Sequence, residues 1–196
     1  MFTGIVKDTG KVRSIEKQSD GIRVLISGSK ILESAEIGES ISINGACLTV
    51  ERTETESAEF YIMDETLDKT WFSKLEKDTT VNIEPSLTPE DRMGGHIVQG
   101  HIEDFAEIES IEKGEESWKI TFELPDKLSN YIVSKGFIAV EGISLTVTEV
   151  NKNSFSVALI PETLDKTNLS EKTEKDFVNL ETDVTARYVE KMVANK

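Results

Sequence analysis

Cys47, Thr49, Ser144 and Thr146 are the side chains whose type and spacing could do chemistry. Cys47 and Thr49 lie in NGACLTV, Ser144 and Thr146 in EGISLTV, and each member of the second pair follows its counterpart by 97 positions. A thiol and three hydroxyls are nucleophile-type groups, useful once a base takes their proton. Taken singly, each hydroxyl reads as a strand-compatible polar residue, and Cys47 as a small hydrophobe. Their equivalence at one offset turns the reading toward a pair of matched sites. The base is the next question. The chain has 2 histidines, His96 and His101, and both fall in GGHIVQGH, Gly94 to His101. An imidazole titrates near neutrality and can act as general acid or base. His101, beside Gly100 on what reads as a strand, is the better proton-handling candidate. His96 reads as a linker residue making a hydrogen bond.

No metal is expected. A metal centre wants three or four ligands. Two histidines five positions apart point to opposite faces of a strand, and the single cysteine lies far away. No phosphate loop, dinucleotide-binding glycine motif or G-x-S-x-G elbow occurs in the chain.

The elements that must position these residues are written twice. Glu65-Thr66-Leu67-Asp68-Lys69-Thr70 returns letter for letter as Glu162 to Thr167, and VNIE at Val81 returns as VNLE at Val178, both 97 positions on. An offset of 96 lays Phe2-Thr3-Gly4-Ile5-Val6 on Val98-Gln99-Gly100-His101-Ile102. A period this long is a domain duplication. GGHIVQGH is then the joint between two copies and the first strand of the second. Residues 1–88 form the first copy, 89–97 the linker, 98–181 the second copy, and 182–196 a tail.

Within each copy the pattern is β. Short runs such as GIRVLIS, SISING, CLTVER, EFYIM and TTVNIE end at Gly, Asp, Asn or Ser. About six short strands per copy predict a small closed barrel, because closure removes exposed edges. In SISINGACLTV the apolar set changes parity at Asn44-Gly45, and Ile138 to Val147 repeats the change at Glu141-Gly142. A bulge or bend at the glycine would let both halves of one strand reach the core. Short helices are expected near Leu67–Leu75 and Leu164–Lys172. Val184, Tyr188, Met192 and Val193 recur at helical spacing and predict a C-terminal helix over Thr182–Ala194.

Composition narrows the partners. Asp and Glu number 37 against 22 Lys and Arg, a net charge of −15. Such a field repels phosphates and anionic lipid, so nucleic acid and membrane surfaces are unexpected partners. No apolar stretch reaches membrane-spanning length, and the N-terminus does not read as a signal peptide. A lone cysteine suits a reducing compartment, so a cytoplasmic location is expected.

MFTGIV, NGACLTV, ETL-x-x-T, GGH-x-V-Q-GH, KGFIAVEGISLTV and IPETL-x-x-T, in this order across essentially the whole chain, resemble the riboflavin synthase family. The resemblance implies an all-β fold of two tandem, similar, six-stranded antiparallel Greek-key barrels plus a C-terminal α-helix that supports a homotrimer. It implies an enzyme that moves a four-carbon unit between two molecules of 6,7-dimethyl-8-ribityllumazine without a cofactor. The products would be riboflavin and 5-amino-6-ribitylaminouracil. The active site would form between the first barrel of one subunit and the second barrel of another. Association with lumazine synthase is a further partnership it raises.

By position, the first barrel's pocket would use Gly4, Ile5 and Val6, then Cys47, Leu48 and Thr49, then Tyr61, Ile62, Met63, Asp64, Glu65 and Thr66. The second would use Gly100, His101 and Ile102, then Lys135, then Ser144, Leu145 and Thr146, then Ala158, Leu159, Ile160, Pro161, Glu162 and Thr163. His101 would assist proton transfer, while Ser144, Thr146 and Cys47 would handle the nucleophile and orientation. Phe2 would order the N-terminal segment over the site. Asp183 matches an acidic position near the helix. The rival readings are a non-catalytic lumazine- or flavin-binding antenna protein and a flavin-binding module of an oxidoreductase.

Overall fold

Asn44-Gly45 closes a two-residue hairpin, with Ile43 paired to Ala46 across it. Both turn residues have positive φ, 46° and 86°, the combination whose twist matches antiparallel strands. Glu141-Gly142 repeats the turn at 52° and 78°, joining Val140 to Ile143. The parity change in the sequence is therefore a reversal of chain direction between two strands. The bulge expected inside one strand is absent there. Register shifts do occur a little further on, between Val50 and Arg52 and again between Val147 and Glu149.

The computed structural model describes residues 1–194. The first barrel comprises β1 (Asp8–Gln18), β2 (Gly21–Ser27), β3 (Ser40–Ile43), β4 (Ala46–Glu54), β5 (Ser57–Met63) and β6 (Thr80–Pro85). The second comprises β7 (Asp104–Lys113), β8 (Trp118–Glu123), β9 (Phe137–Val140), β10 (Ile143–Val150), β11 (Ser154–Leu159) and β12 (Phe177–Thr182). Each closes on itself, in the order β1-β2-β5-β4-β3-β6 and in the equivalent order for the second copy. Among the described residues there are four α-helices: α1 (Lys30–Glu33), which the sequence pattern did not announce, α2 (Asp64–Lys69), α3 (Pro161–Lys166) and α4 (Val184–Ala194). α2 and α3 are the repeated E-T-L-D-K-T, each followed by a 3₁₀ turn, Trp71–Lys74 and Asn168–Ser170.

Alternation puts one face of every strand inside its barrel. Val24, Ile26, Ile41, Leu48, Phe60 and Ile83 fill the first, and Ile108, Phe122, Ile138, Leu145, Phe155 and Val178 the second. Burying each such side chain contributes roughly 1.5–3 kcal/mol before entropy is counted. The same alternation turns Cys47, Thr49, Ser144 and Thr146 outward.

The barrels meet through a polar seam with approximate two-fold symmetry. Asn82 Oδ1 accepts from the Asn168 main-chain N–H at 2.7 Å, and Asn179 Oδ1 from the Trp71 N–H at 3.1 Å. In return Asn82 Nδ2 donates to the Glu141 carbonyl and Asn179 Nδ2 to the Asn44 carbonyl, both at 3.0 Å. The backbones of Gly45 and Gly142 lie so close that a Cβ on either would sit within 2.8 Å of the other's nitrogen.

GGHIVQGH does not begin a strand. Ladder pairing starts at Asp104, and in the first copy at Asp8. The residues before them form two arms joined by an isolated antiparallel bridge between Phe2 and Val98. Positive φ at Gly4 and Gly100, 74° and 82°, bends each arm away from its own sheet. α4 begins at Val184 because Thr182 is still paired in β12, and the last two positions of the expected tail lie outside the described residues. Its Tyr188, Val189, Met192 and Val193 are all exposed.

Candidate active site

Each arm crosses to the barrel of the other copy. Gly4 offers its carbonyl to the Ser144 N–H at 2.7 Å, and Gly100 offers its carbonyl to the Cys47 N–H at 2.9 Å. Val6 belongs to the core of the second barrel, and Ile102 packs on the first. The approach is close: a Cβ on Gly4 would lie 2.6 Å from Ser144 Cβ, and one on Gly100 2.5 Å from Cys47 Cβ. This corrects the grouping expected from sequence. Gly4, Ile5 and Val6 stand with Ser144, while Gly100, His101 and Ile102 stand with Cys47. A linear repeat cannot reveal that two equivalent segments have exchanged partners.

Two buried carboxylates hold the arms. Glu84 in β6 accepts the Thr3 N–H at 2.7 Å, the Thr3 hydroxyl at 2.6 Å and the Gly4 N–H at 3.0 Å. Glu181 in β12 accepts the N–H groups of Gln99, Gly100 and His101 at 2.6, 2.9 and 2.9 Å. Burial raises both carboxyls, Glu181 to about 7, against the pull of those donors and, for Glu181, with help from nearby Glu103. These residues are the Glu of VNIE and VNLE. The repeat marked them, but nothing in the sequence showed what they hold.

Ser144 and Cys47 have matched backbones and unequal side-chain surroundings. Ser144 Oγ lies 2.7 Å from His96 Nδ1. His96 is buried, with its ring stacked on Phe137 at 5.2 Å and 12°. Burial lowers its pKa, opposed by the charge of Asp183. Cys47 faces an apolar cluster of Phe2, Val98 and Ala139. His101, expected to assist proton transfer, is exposed and lines a different cleft from Ser144. His96, read as a linker residue, is the histidine that reaches the serine. Gly95 makes this feasible, since a Cβ there would lie 2.3 Å from the Thr3 carbonyl oxygen.

Two clefts follow the arms. One, of about 530 Å3, is lined by Gly4, Ile5, Val6 and Lys7 with Ser144, Glu162, Thr163 and Lys166. The other, of about 390 Å3, is lined by Gln99, His101, Ile102 and Glu103 with Lys69, Lys127, Tyr131 and Arg187. Ion pairs from Arg187 to Glu103 at 2.7 Å and from Lys127 to Asp104 at 2.9 Å cross the second.

The remaining expected residues divide by burial. Leu48, Ile62, Leu145 and Leu159 point into barrel cores and leave only backbone groups for a ligand. Thr49, Thr146, Met63, Asp64, Glu65, Ala158, Ile160 and Pro161 are exposed, and Thr66 is half-buried. Tyr61 donates to Asp20 at 2.6 Å, and that bond pushes its phenol up to about 12. Lys135 sits in the turn before β9, at φ 67°, with its N–H on the Val147 carbonyl. Asp183 accepts from the Thr185 N–H and hydroxyl at the start of α4. Among the described residues no group of three or more His, Cys, Asp or Glu could hold a metal ion, and no helix is long and apolar enough to cross a membrane.

Twin barrels with exchanged arms run beside two clefts, and a family model described as the lumazine binding domain matches residues 3–86 and 99–183, which makes this a tandem-repeat binding fold. The riboflavin synthase of Actinobacillus pleuropneumoniae is 38% identical over 100% of this chain and 91% of its own length. That of Bacillus subtilis is 36% identical over 96% of this chain and 88% of its own, and that of Mycobacterium bovis 38% over 98% of each. The chain belongs to the riboflavin synthase family of lumazine-binding proteins. It is also similar to crystal structures of LumP, complexed with 6,7-dimethyl-8-(1'-D-ribityl) lumazine (TM-score 0.85) or with riboflavin (TM-score 0.86). Each is 31% identical, covering 93% of this chain and 99% of the other.

Proposed function

We propose that this protein is a riboflavin synthase that converts two molecules of 6,7-dimethyl-8-ribityllumazine into riboflavin and 5-amino-6-ribitylaminouracil by four-carbon transfer. The observation that carries the reading is the reciprocal arm exchange, which lays one arm against Ser144 and the equivalent arm against Cys47, each running along a cleft. A reaction between two identical molecules is served by two related cradles, and holding both removes much of the entropic cost of their encounter.

One cradle is built from Gly4 to Val6, Lys135, Ser144 to Thr146 and Ala158 to Thr163. The other is built from Cys47 to Thr49, Tyr61 to Thr66 and Gly100 to Ile102. Main-chain groups of the arms and of β4 and β10 read the pyrimidinedione edge. Glu162 and Thr163, and their counterparts Glu65 and Thr66, hold ribityl hydroxyls at the starts of α3 and α2. A base removes a proton from the C7 methyl of one lumazine while a nucleophile adds to the ring of the other. His101 serves the proton transfer, with Thr146, Cys47, Ser144 and Asp183 around the reacting rings.

The working unit is a homotrimer in which the first barrel of one chain faces the second barrel of the next. The exposed apolar residues of α4 support that assembly, since such a stripe is otherwise left in water. The unpaired thiol of Cys47 suits the cytoplasm. Incubation with 6,7-dimethyl-8-ribityllumazine alone tests the reading: riboflavin is expected to appear by absorbance and fluorescence. Tight binding with no product would instead make the protein an antenna-type lumazine carrier, the reading that similarity to LumP favours.

A further inference from the structure

Ser144 and Cys47 occupy one position of the repeat, yet only one has a base within reach. Both donate their main-chain N–H to an arm glycine, so the duplication is intact at backbone level. Their side chains differ in surroundings. Among the described residues no hydrogen bond reaches the Cys47 sulfur, which packs against Phe2, Val98 and Ala139. Ser144 Oγ is 2.7 Å from His96 Nδ1.

The imidazole is fixed on every side. Its main-chain N–H donates to the Thr3 carbonyl at 3.2 Å, and its ring lies flat against Phe137 of β9. β10 presents the Ser144 hydroxyl, and the charged group acting on the ring is Asp183, at the junction of β12 and α4. His96 is 6% exposed, and among the described residues its Nε2 has no hydrogen-bond partner. Leaving a buried ring nitrogen unpaired is unfavourable, and packing alone gives no reason to keep it. Burial favours the neutral ring, and in the tautomer that carries its proton on Nε2 the Nδ1 accepts from the Ser144 hydroxyl.

We propose that His96 is the positioning residue and proton acceptor for Ser144, and that this pair makes the two pockets unequal: the nucleophile is raised at the Ser144 pocket and not at the Cys47 pocket. The proposal rests on the lumazine reading above and extends it by giving His96 a role and by naming the pocket at which the nucleophile adds. In the step assigned, the Ser144 oxygen, or a water bound to it, forms a bond to an electrophilic ring carbon of the lumazine in that pocket. The O–H proton passes to His96 Nδ1, and the displaced π electron pair moves onto the ring system. When the nucleophile leaves, the proton returns to it from the imidazolium.

The test uses the full-length protein with 6,7-dimethyl-8-ribityllumazine as substrate and riboflavin as the binding probe, for wild type, His96→Ala, His96→Asn, Ser144→Ala and the double variant His96→Ala with Ser144→Ala. Loss of a general base costs about 100-fold or more in turnover. Both His96 variants are expected to lose kcat on that scale with riboflavin affinity within about threefold of wild type. The double variant is expected to be no slower than the slower single, because the two residues act as a unit. The acid limb of the wild-type kcat profile between about pH 5 and 8 is expected to be missing in His96→Asn. Proton NMR of the wild type needs no variant to fold. With 2 histidines in the chain, the His96 resonance, identified by its absence in His96→Asn, is expected to titrate below the ordinary range. Wild-type kcat in both His96 variants, multiplicative losses in the double variant, or equal losses of kcat and affinity would each overturn the assignment. A wild-type protein that binds lumazine without forming riboflavin overturns the enzyme reading and this proposal with it; an active wild type with fully active His96 variants overturns only the proposal.

Discussion

Glu84 and Glu181 stand at the same register position of β6 and β12, and each anchors one arm by three hydrogen bonds, Glu84 to Thr3 and Gly4, Glu181 to Gln99, Gly100 and His101. An arm held by its own copy is thereby offered to the nucleophile strand of the other. Loss of either carboxylate leaves main-chain donors without acceptors at the pocket mouth.

The charge on Glu181 makes stability depend on pH. Its carboxyl lies at about 7 when folded against an ordinary 4.5, because burial penalises the anion. The native state therefore binds more protons than the unfolded state between those values, and stability falls as pH rises through that window. At about 1.4 kcal/mol per pH unit the gap corresponds to roughly 3 kcal/mol. Glu84, raised in the same direction, adds to the trend. Thermal unfolding at about pH 5 and pH 8 is expected to show a steeper decline for wild type than for Glu181→Gln. Parallel declines would remove Glu181 as the cause.

Alanine at either arm glycine strikes both the turn and the close approach. Gly4→Ala and Gly100→Ala each put a Cβ within 2.6 Å of the opposing side chain at a positive φ. A left-handed non-glycine residue alone costs about 1–3 kcal/mol. Each variant is expected to lower the melting temperature and cut riboflavin formation by more than tenfold. Full activity in Gly100→Ala would show that arm 99–102 need not lie against Cys47.

Asn82 and Asn179 test the seam. Asn82→Ala orphans the Asn168 N–H and removes donors to Glu141 and Asn168. Unsatisfied buried groups cost about 1–3 kcal/mol each, so loss of about 2–4 kcal/mol is expected in chemical denaturation. A separate, earlier transition for one barrel would locate the loss in the seam, whereas a change under 0.5 kcal/mol or so would deny it a role in stability.

The apolar stripe of α4 predicts assembly. Met192→Glu combined with Val193→Glu places charge on the exposed stripe. Sedimentation is expected to show a trimer for wild type and smaller species for the variant, with riboflavin formation falling in step if each site needs two chains. A wild type that sediments as a monomer yet makes riboflavin would place both halves of the site in one chain.

Much of this was legible in the residues. Letter-for-letter repetition at Glu65 and Glu162 marked the duplication, and strand periodicity marked the barrels, because each depends on neighbours along the chain. Asn44-Gly45 reads as a bulge or bend inside one strand because parity reverses in the same way at a hairpin, and only pairing tells them apart. In the sequence His101 is preferred to His96 for proton handling because it reads as lying on a strand beside Gly100, and His96 as a linker residue. What separates them is burial against Phe137 and contact with Ser144.

The chain therefore specified by itself two like barrels, a helical tail, and outward-facing Cys47 and Ser144, since side-chain alternation and repetition are local properties. The tertiary structure alone decided that the arms change partners, that Glu84 and Glu181 hold them, and that one nucleophile has a histidine while the other does not. Those are contacts between residues 48 to 140 positions apart. At such separation linear spacing carries no information about distance, and the packing of one barrel against the other sets it.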